Sequence, residues 1–578
     1  MKKSILFICF TAFLFVVSAQ NYNAALFKVG NESVTANEFI NTFNKNNSFK
    51  DATESELRDY LELFINFKLK VKDGIDYKID TSMTFQKELA SYKSQSAQQY
   101  LIDRDVSEQL IKEAIERCKQ MVRASHILMM CAPDALPKDT LAVYNKMLDI
   151  RKKIISGTLT FQEAALQFSE DPSARDEVSQ NGRIQFGNKG DLGYFTVFEL
   201  IYPFESAAYK TPVGSISMPV RTQFGYHLIW VQDKQPVVSK INISQILLLD
   251  SNARHGILSP DIKELLTEIQ DALKNGEEFE KLAELHTDDP MSKQKGGKLE
   301  PFAPSRRPGD FIKQCISLEK GQLSNPFSSV VGWHIIRLNE LTFPEIKEDE
   351  LRYAMTTKIQ RDPRSAKSVE SLVEKLKKEY KYSEKGKNDA FNFLLKKLNV
   401  ENKMPPAADL LSMEGIGKLK PMATFSRTSV TIQDFINFLG RFSGDNLNNE
   451  ANSFLTLNFD NFIKDCIIRY EFDNLEKKYP EYKELILEYH HGMILFEMTN
   501  EKIWNVSLKD SVKIDEYYEK IKYNYLDSEG NPKPFLEIRA IVLTEYQNVL
   551  EKEWLEEIKE IYPVWINEEL FKLILKNK

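Results

Sequence analysis

Two histidines and one carboxylate are the residues of this chain whose types could do chemistry together. His126 lies in VRASHILMM and His227 in FGYHLIWVQD, two stretches whose alternating apolar residues predict β-strands. Asp171 lies between them, in FSEDPSA. An imidazole donates a hydrogen bond from one nitrogen and accepts one at the other, so two rings and a carboxylate can form a hydrogen-bonded chain.

Other chemistries use the same residue types. Two histidines and a carboxylate also ligate iron or zinc, but such ligands usually include a local His-x-Asp/Glu pair, and these positions are scattered. A serine hydrolase needs a nucleophile on an elbow such as G-x-S-x-G, which is absent. The glycines of GNKGDLG lack the Lys and Ser/Thr of a phosphate loop. Histidines satisfied inside a sheet, with no catalytic role, remain the plain structural alternative.

Cysteine usage predicts no metal site. Cys118, Cys131, Cys315 and Cys466 show neither CxxC spacing nor a histidine at ligand spacing. We expect neither a metal nor another cofactor. A disulfide between Cys118 and Cys131 stays open, because spacing alone does not decide it.

The segment 122–233 supplies the elements that must position the candidate residues. After the first predicted strand come two helical stretches, a short strand bracketed by glycines, a further helix and the strand that carries His227. This order predicts a compact α+β domain with a small antiparallel sheet, one face of which packs on helices.

An ordered set of motifs in this segment resembles the parvulin family of peptidyl-prolyl isomerases, whose fold is FKBP-like. The motifs are ASHIL at 124–128, SED at 169–171, GDLGYF at 190–195, PFE at 203–205 and TQFGYH at 222–227. The resemblance implies prolyl cis-trans isomerase activity. It places His126, Asp171, Thr222 and His227 in the catalytic cluster, and Leu192, Leu200 and Phe204 in the pocket for the proline ring.

The implied reaction is rotation about a prolyl amide, which is opposed by a barrier of roughly 18 to 20 kcal/mol. No bond has to break, so a catalyst needs an apolar slot for the ring and groups that favour the twisted amide. We therefore assign the histidines an electrostatic role in shaping the site rather than proton transfer.

A second segment, 240–342, parallels the first. INISQILLL, LHTDDP, GKLEPF and SSVVGWHIIRL repeat the order of the first segment, and Leu299 stands 35 positions before His334 as Leu192 does before His227. The corresponding positions of the second copy are Gln245, Asp289, Leu299, Phe311 and His334. Gln245 replaces a histidine and Arg307 falls opposite Leu200, so we expect the second copy to be weak or inactive.

Length and charge limit the remaining possibilities. A chain of 578 residues exceeds what one core usually organises, so several domains are expected. The 77 basic and 84 acidic residues give a formal charge of −7 and are mixed along the sequence. Because phosphate binding requires a basic face, we expect no nucleic-acid partner.

The first residues, 1–19, have the layout of a secretory signal peptide. Lys2 and Lys3 precede a mostly apolar run at 5–17, and cleavage is expected after Ala19. The alternative, a membrane anchor, is disfavoured because thirteen residues at about 1.5 Å each are shorter than a hydrocarbon core of roughly 30 Å. We expect export to the periplasm and no integral membrane segment after cleavage.

Helical segments flank the two parvulin-like copies. We predict a helical module at 20–121, with capping boxes at Thr35 and Thr53, a helical connector at 343–420 and a C-terminal helical module at 421–578. SVTIQDFIN at 429–437 repeats SVTANEFIN at 33–41. FLEIRAIVL near the end allows a truncated third parvulin-like unit with Val542 at the histidine position, or an ordinary α/β tail.

The first helical module resembles the chaperone region of SurA-type and PpiD-type periplasmic foldases. The resemblance implies a periplasmic isomerase and chaperone that binds unfolded or extended client polypeptides, including outer-membrane proteins. The alternative is a non-catalytic holdase or an envelope-assembly scaffold whose parvulin folds only bind.

Overall fold

The structure, a computed structural model, describes residues 22–576 apart from 134, 179–183, 346, 402 and 448–449. The predicted signal peptide lies outside the described residues. The chain divides into two compact units. The terminal unit combines the described parts of Met1–Tyr100 and Phe472–Lys578, and the central unit is Leu101–Glu471.

The elements before the first parvulin-like segment are β1 Ala25–Val29, β2 Glu32–Thr35, α1 Ala36–Asn44, α2 Glu54–Asp76, α3 Met83–Ala97 and α4 Arg104–Arg117. The expected caps explain where two of these helices begin. Thr53 and Glu56 make both bonds of a capping box, and the Thr35 side chain accepts a hydrogen bond from the backbone N–H of Glu38. The related sequence further along the chain also forms a hairpin and a capped helix, at 423–439.

The first copy contains β3 Gln120–Met130, α5 Pro137–Ile155, α6 Phe161–Phe168, β4 Glu177–Val178, β5 Ile184–Gln185, β6 Asp191–Phe195, α7 Tyr202–Lys210, β7 Val220–Arg221 and β8 Gly225–Pro236. Its main sheet has the order β6-β3-β8-β7, and the strands pair antiparallel. Apolar residues of β3 and β8 pack against α5 and α6 on one face of the sheet, and against α7 on the other. The second face holds the candidate site.

The second copy contains β9 Lys240–Leu249, α8 Pro260–Lys274, α9 Phe279–His286, α10 Gly309–Ile316, β10 Phe327–Ser328 and β11 Gly332–Thr342. Its sheet has three strands, in the order β10-β11-β9. The stretch that corresponds to β6 makes only isolated bridges, such as the one between Ile241 and Phe302. Two small antiparallel sheets with helices confirm the predicted fold class.

The two copies share a core. Tyr194 of β6 is 1% exposed and, with Met121 of β3, packs among the apolar residues of the second copy's β9, α10 and β11. Buried Arg123 places one Nη atom 2.7 Å from Asp191 and 2.8 Å from Asp310 of α10. The parvulin-like copies are therefore joined by apolar packing and by a buried cation.

After the copies come α11 Glu348–Arg361, α12 Ala366–Glu379, α13 Lys387–Glu401, α14 Ala407–Leu411, β12 Ala423–Phe425, β13 Thr428–Val430, α15 Ile432–Leu439 and α16 Ala451–Lys478. The chain continues through α17 Pro480–Thr499, α18 Asn505–Lys509, α19 Ser511–Ile521, α20 Phe535–Ile561, β14 Val564–Ile566 and α21 Glu568–Lys576. No helix in the described part of the chain combines the length and the apolar character that a membrane span needs.

The terminal unit joins the two ends of the chain. Its sheet has the order β14-β1-β2, so the last strand pairs with the first. Helix α2 packs against α17 and α20, where the indole N–H of Trp554 donates to Asp73 at 2.8 Å. The Tyr482 hydroxyl donates to the backbone oxygen of Lys93, also at 2.8 Å.

The suggested third parvulin-like unit is wrong. FLEIRAIVL forms the first turns of helix α20, not a strand, and Val542 is a buried helical residue with no exposure. Ile538, Val542 and Tyr546 recur at helical spacing and pack against α19, which explains why the apolar run adopts a helix. Within the described residues, the α/β character of the tail is limited to the short last strand at 564–566.

Candidate active site

The pairing of β3 with β8 brings the two histidines together. Leu128 is the partner of His227 and Ile229 is the partner of His126, so the histidines are diagonal neighbours on one face of the sheet. Their side chains are 5% and 4% exposed. Gly190 permits this arrangement at the adjoining edge, because a Cβ there would lie 2.6 Å from the carbonyl oxygen of His126.

Four side chains form a continuous polar chain. Nε2 of His126 lies 2.8 Å from a carboxylate oxygen of Asp171, a short contact that is poorly aligned for an N–H donor. The Nδ1 atoms of His126 and His227 are 3.3 Å apart, and Nε2 of His227 is 2.8 Å from the Thr222 hydroxyl. The structure thus brings together all four residues predicted for the catalytic cluster.

Asp171 is held at the start of a short 3-10 turn, Pro172–Ala174, where its side chain accepts a hydrogen bond from the backbone N–H of Ser173. The contact with His126, followed by this backbone bond, lowers the pKa of Asp171 well below its ordinary value, although partial burial opposes the shift. The carboxylate is therefore ionised at neutral pH.

Burial lowers the pKa of His227 to about 3, and the neighbouring His126 acts in the same direction. A neutral ring carries one proton, and the Thr222 contact alone fits either place for it. The ionised Asp171 favours the arrangement in which His126 carries its proton on Nε2. His227 then donates from Nδ1 to His126 and accepts at Nε2 from the Thr222 hydroxyl, whose oxygen also accepts from the backbone N–H of Phe224.

Apolar side chains adjoin the hydrogen-bonded residues of the first copy. The Phe204 ring meets both imidazoles edge to face, with centroids 5.7 Å from His126 and 5.3 Å from His227. Phe204 is 3% exposed and belongs to the apolar cluster on this face of the sheet, against which half-buried Leu192 and Leu200 pack. These residues provide the apolar surface beside polar groups that a proline-binding slot requires.

The second copy has polar residues at the equivalent positions, but they do not form one continuous hydrogen-bonded series. Gln245 donates to Asp289 at 3.1 Å, and Ser292 also donates to that carboxylate, at 2.5 Å. Nε2 of His334 lies 2.8 Å from the Ser329 hydroxyl, but its buried Nδ1 has no hydrogen-bond partner among the described residues. The amide therefore does not replace the link that His126 makes to the second imidazole.

Ser329 is a site residue that the sequence comparison missed. It stands five positions before His334, as Thr222 does before His227, and it makes the equivalent contact. The constant separation from the histidine was the signal that would have identified it.

Arg307 fills the position of Leu200 in the second copy. Its guanidinium carbon lies 5.2 Å from the ring centre of Phe302 and 5.8 Å from that of Phe311. Leu299 packs at the margin of the same cluster. Burial, followed by the charge of Arg307, lowers the pKa of His334 to about 4. A cation therefore stands where the first copy has an apolar side chain.

The sequence left open a disulfide between Cys118 and Cys131. In the structure the cysteines are free: Cys118, Cys131, Cys315 and Cys466. Within the described ranges, no group of three or more His, Cys, Asp or Glu side chains is arranged to hold a metal ion.

Comparisons with known proteins agree with this geometry. The sequence profile of the PPIC-type PPIase domain, or rotamase, matches residues 126–233 and 256–340. The chaperone SurA of Methylococcus capsulatus is 26% identical over 38% of this chain and 45% of the relative. SurA of Idiomarina loihiensis is 30% identical over 29% of this chain and 40% of the relative.

The parvulin of Nitrosopumilus maritimus, a solved structure, is 31% identical over 20% of this chain and 97% of that protein, with a TM-score of 0.14. The matches cover about half the length of the curated relatives, 45% and 57% for two of them. Residues 126–233 and 256–340 thus match the PPIC-type PPIase domain, and the chain is similar to the SurA chaperones over part of its length.

Proposed function

We propose that the chain is a periplasmic peptidyl-prolyl cis-trans isomerase and chaperone, and that the first parvulin-like copy performs the isomerisation. The observation that carries the proposal is the continuous chain from Asp171 to Thr222 beside the buried ring of Phe204. The family match and the SurA relatives support the same activity.

The proposed mechanism uses binding and electrostatics alone. The apolar side chains of Leu192, Leu200 and Phe204 hold the proline ring, so that the preceding carbonyl rotates relative to a fixed ring. The twisted amide has lost its resonance, and its nitrogen is a better hydrogen-bond acceptor than that of the planar amide. Donors and dipoles held rigidly beside it lower the barrier, because they need no reorganisation when the amide twists.

The polar chain provides that rigidity. Ionised Asp171 fixes the ring of His126, which in turn fixes the tautomer of neutral His227. A neutral imidazole between two partners costs less to bury than a charged one, which is consistent with the low pKa of His227. Each residue of the cluster thus orients the next, and none has to transfer a proton.

The test is an assay of prolyl isomerisation with the full mature chain on a short proline peptide. We expect catalysis that falls by about 10² to 10³ in a His227→Ala variant, as is typical when one preorganised polar group is removed from a site. An inactive wild-type chain would contradict the proposed activity, and a fully active variant would contradict the role given to His227.

A chaperone role is the second part of the proposal. Extended segments of unfolded clients, outer-membrane proteins among them, would bind through apolar contacts and main-chain hydrogen bonds. We expect the His227→Ala variant to suppress aggregation of an unfolded outer-membrane protein as well as the wild type does. Loss of both activities together would mean that one site performs both.

A holdase that only binds is the alternative function, and the second copy supplies the observation in its favour. With Gln245 and Arg307 in place of a histidine and a leucine, that copy has the fold without the continuous chain. If the wild-type chain prevents aggregation but does not accelerate isomerisation, the holdase is the correct function.

The proposed location is the periplasm, and the SurA relatives and the signal-like sequence at 1–19 support it. The N-terminal sequence of the protein recovered from the periplasm tests it, with residue 20 expected first. Retention of the uncleaved chain in the membrane fraction would favour an anchor.

A further inference from the structure

A buried carboxylate lies directly after the pocket residue Phe204. Glu205 has no exposure and accepts hydrogen bonds from three directions. Nη1 of Arg117 lies 2.8 Å away, Nη2 of Arg364 lies 3.0 Å away, and the backbone N–H of Phe198 donates at 2.7 Å. Every oxygen of this carboxylate is therefore occupied by protein donors.

The two arginines come from outside the segment that matches the isomerase family. Arg117 ends helix α4, and Arg364 lies in the short turn Pro363–Ser365, after helix α11. They are 5% and 2% exposed. Arg364 also bonds Asp362 through Nε at 2.9 Å, so its position is fixed on both sides.

The carboxylate connects these arginines to the loop 196–201, which carries Leu200. Phe198 in this loop has a left-handed backbone, with a φ of 69°, which a residue other than glycine adopts only where its surroundings hold it. Its N–H is bonded to Glu205, and its ring lies 4.1 Å from the guanidinium carbon of Arg364. The same ion cluster therefore holds both the loop and the helix that line the pocket.

The second copy has no equivalent. Ile312 occupies the position of Glu205 and is fully buried in the core of that copy. An apolar residue fits this position in the same fold, so the fold does not require a buried charge there. Buried ion pairs also contribute little net stability compared with apolar packing of the same volume. Stability of the fold therefore does not explain the cluster of Glu205 with the two arginines. A role that only the first copy has explains it better.

We propose that Arg117, Glu205 and Arg364 are positioning residues that set the proline pocket of the first copy. The inference rests on the proposed isomerase function of that copy. The loop 196–201 and the start of α7 adopt their active arrangement only when helix α4 and the turn after α11 supply the two arginines. The first copy thus depends for its pocket on parts of the chain outside its own fold.

The experiment compares two variants of the full chain with a matched control. Arg364→Lys keeps the charge but loses the planar fork that bonds Glu205 twice, and Arg364→Met removes the charge. Arg352→Lys is the control, because Arg352 of α11 forms an exposed pair with Glu108 of α4, at 3.0 Å, away from Glu205. Thermal unfolding and circular dichroism are measured for every variant.

Two readouts separate positioning from stability. The first is kcat and KM on a short proline peptide, well below the unfolding temperature. We expect Arg364→Lys to lower kcat/KM by about tenfold, mainly through KM, and Arg364→Met to lower it further, since misplaced binding groups cost up to about 10². The second is hydrogen exchange of the backbone amides at 196–204, which should accelerate in both variants and not in the control.

The outcomes are distinct. Unchanged exchange at 196–204 in both Arg364 variants overturns the positioning role, whether or not the chain is an isomerase. Faster exchange with unchanged kcat/KM in an active enzyme also overturns it. If the wild-type chain does not isomerise the peptide, the proposed function fails, and the affinity for the peptide, measured by titration, replaces KM as the readout for the pocket.

Discussion

The two parvulin-like copies place nearly the same side chains at nearly the same positions of one fold, yet only the first joins them into a network. In the first, His126 touches both Asp171 and His227; in the second, Gln245 bonds Asp289 and leaves one nitrogen of His334 without a partner among the described residues. The 2.8 Å contact of His126 with Asp171 is itself poorly aligned, so the copies differ in which side chains meet rather than in the number of unsatisfied nitrogens. Loss of one ring at the centre therefore separates the site into two unconnected halves.

The pocket shows the same contrast. Leu200 adds apolar surface beside Phe204, whereas Arg307 places a cation beside Phe311. A charged group beside a proline slot must lose water when the ring enters, and this loss is costly. The difference supports the proposal that catalysis belongs to the first copy.

The largest expected effect separates the two copies directly. In the full chain, His227→Ala should lower kcat/KM on a proline peptide by about 10² to 10³, because the polar chain loses its central donor. The matched variant His334→Ala should leave the rate unchanged. Equal losses from the two variants would show that both copies catalyse.

A residue exchange between the copies should have the next largest effect. His126→Gln gives the first copy the residue of the second, and we expect a loss of about tenfold to a hundredfold, since an amide still donates and accepts but does not bridge Asp171 and His227. The reverse exchange, Gln245→His, should restore little activity while Arg307 remains. The Gln245→His exchange is assayed in the His227→Ala background, so that the measured activity comes from the second copy. A large gain of activity there would contradict the inhibitory role given to Arg307.

Exchanging the residues beside the proposed proline pocket is expected to have a smaller effect on the kinetics. Leu200→Arg should raise KM about tenfold, equivalent to about 1.4 kcal/mol, with a modest change in kcat, because the cation weakens binding of the proline ring. Arg307→Leu in the second copy is the matched variant and should not alter the rate. Steady-state kinetics on a series of peptide concentrations separates KM from kcat.

The smallest effect concerns pH. The folded pKa values of about 3 for His227 and about 4 for His334 lie below the ordinary value of 6.5. Below pH 6.5 the unfolded chain binds protons that the folded chain does not, so both groups stabilise the fold above pH 6.5, and this stability is lost as pH falls toward these values. Because His227 stays neutral between pH 6 and 8, we expect its protonation to cause no change of activity in that range.

NMR of the imidazole signals checks this prediction together with denaturant unfolding at pH 7 and pH 4.5. His334 should titrate before His227 on acidification, and the unfolding midpoint should be lower at pH 4.5. A histidine at either position that titrates near pH 6.5 would contradict the burial seen in the structure.

The sequence predicted the fold class and the composition of the first cluster because both depend on local patterns. Alternating apolar residues identified the strands around His126 and His227, and the pairing of adjacent antiparallel strands brings such positions together. The roles of these residues remain predictions. Ser329 was missed because, of the TQFGYH motif, the second copy keeps only the glycine and the histidine, as Gly332 and His334, so the separation from His334 is its main mark.

Other features could not be predicted because they depend on residues far apart in the chain. Glu205 stood in a recognised motif, but the two arginines that surround it lie 88 positions before it and 159 after it. FLEIRAIVL was ambiguous because a short apolar run fits a strand or a buried helix. The spacing of Ile538, Val542 and Tyr546 over a longer window would have indicated the helix.

The pairing of β1 with β14 has a consequence for the order in which the protein folds. Strands β1 and β2 and helices α1 to α3 are synthesised first, but they pack against residues 480–576, which come about 380 positions later. At about 5 to 20 residues per second, the ribosome needs roughly 20 to 80 seconds to supply them. During that interval the apolar faces of α2 and β1 have no permanent partner. The newly made protein is then itself the kind of extended, apolar chain that a chaperone binds.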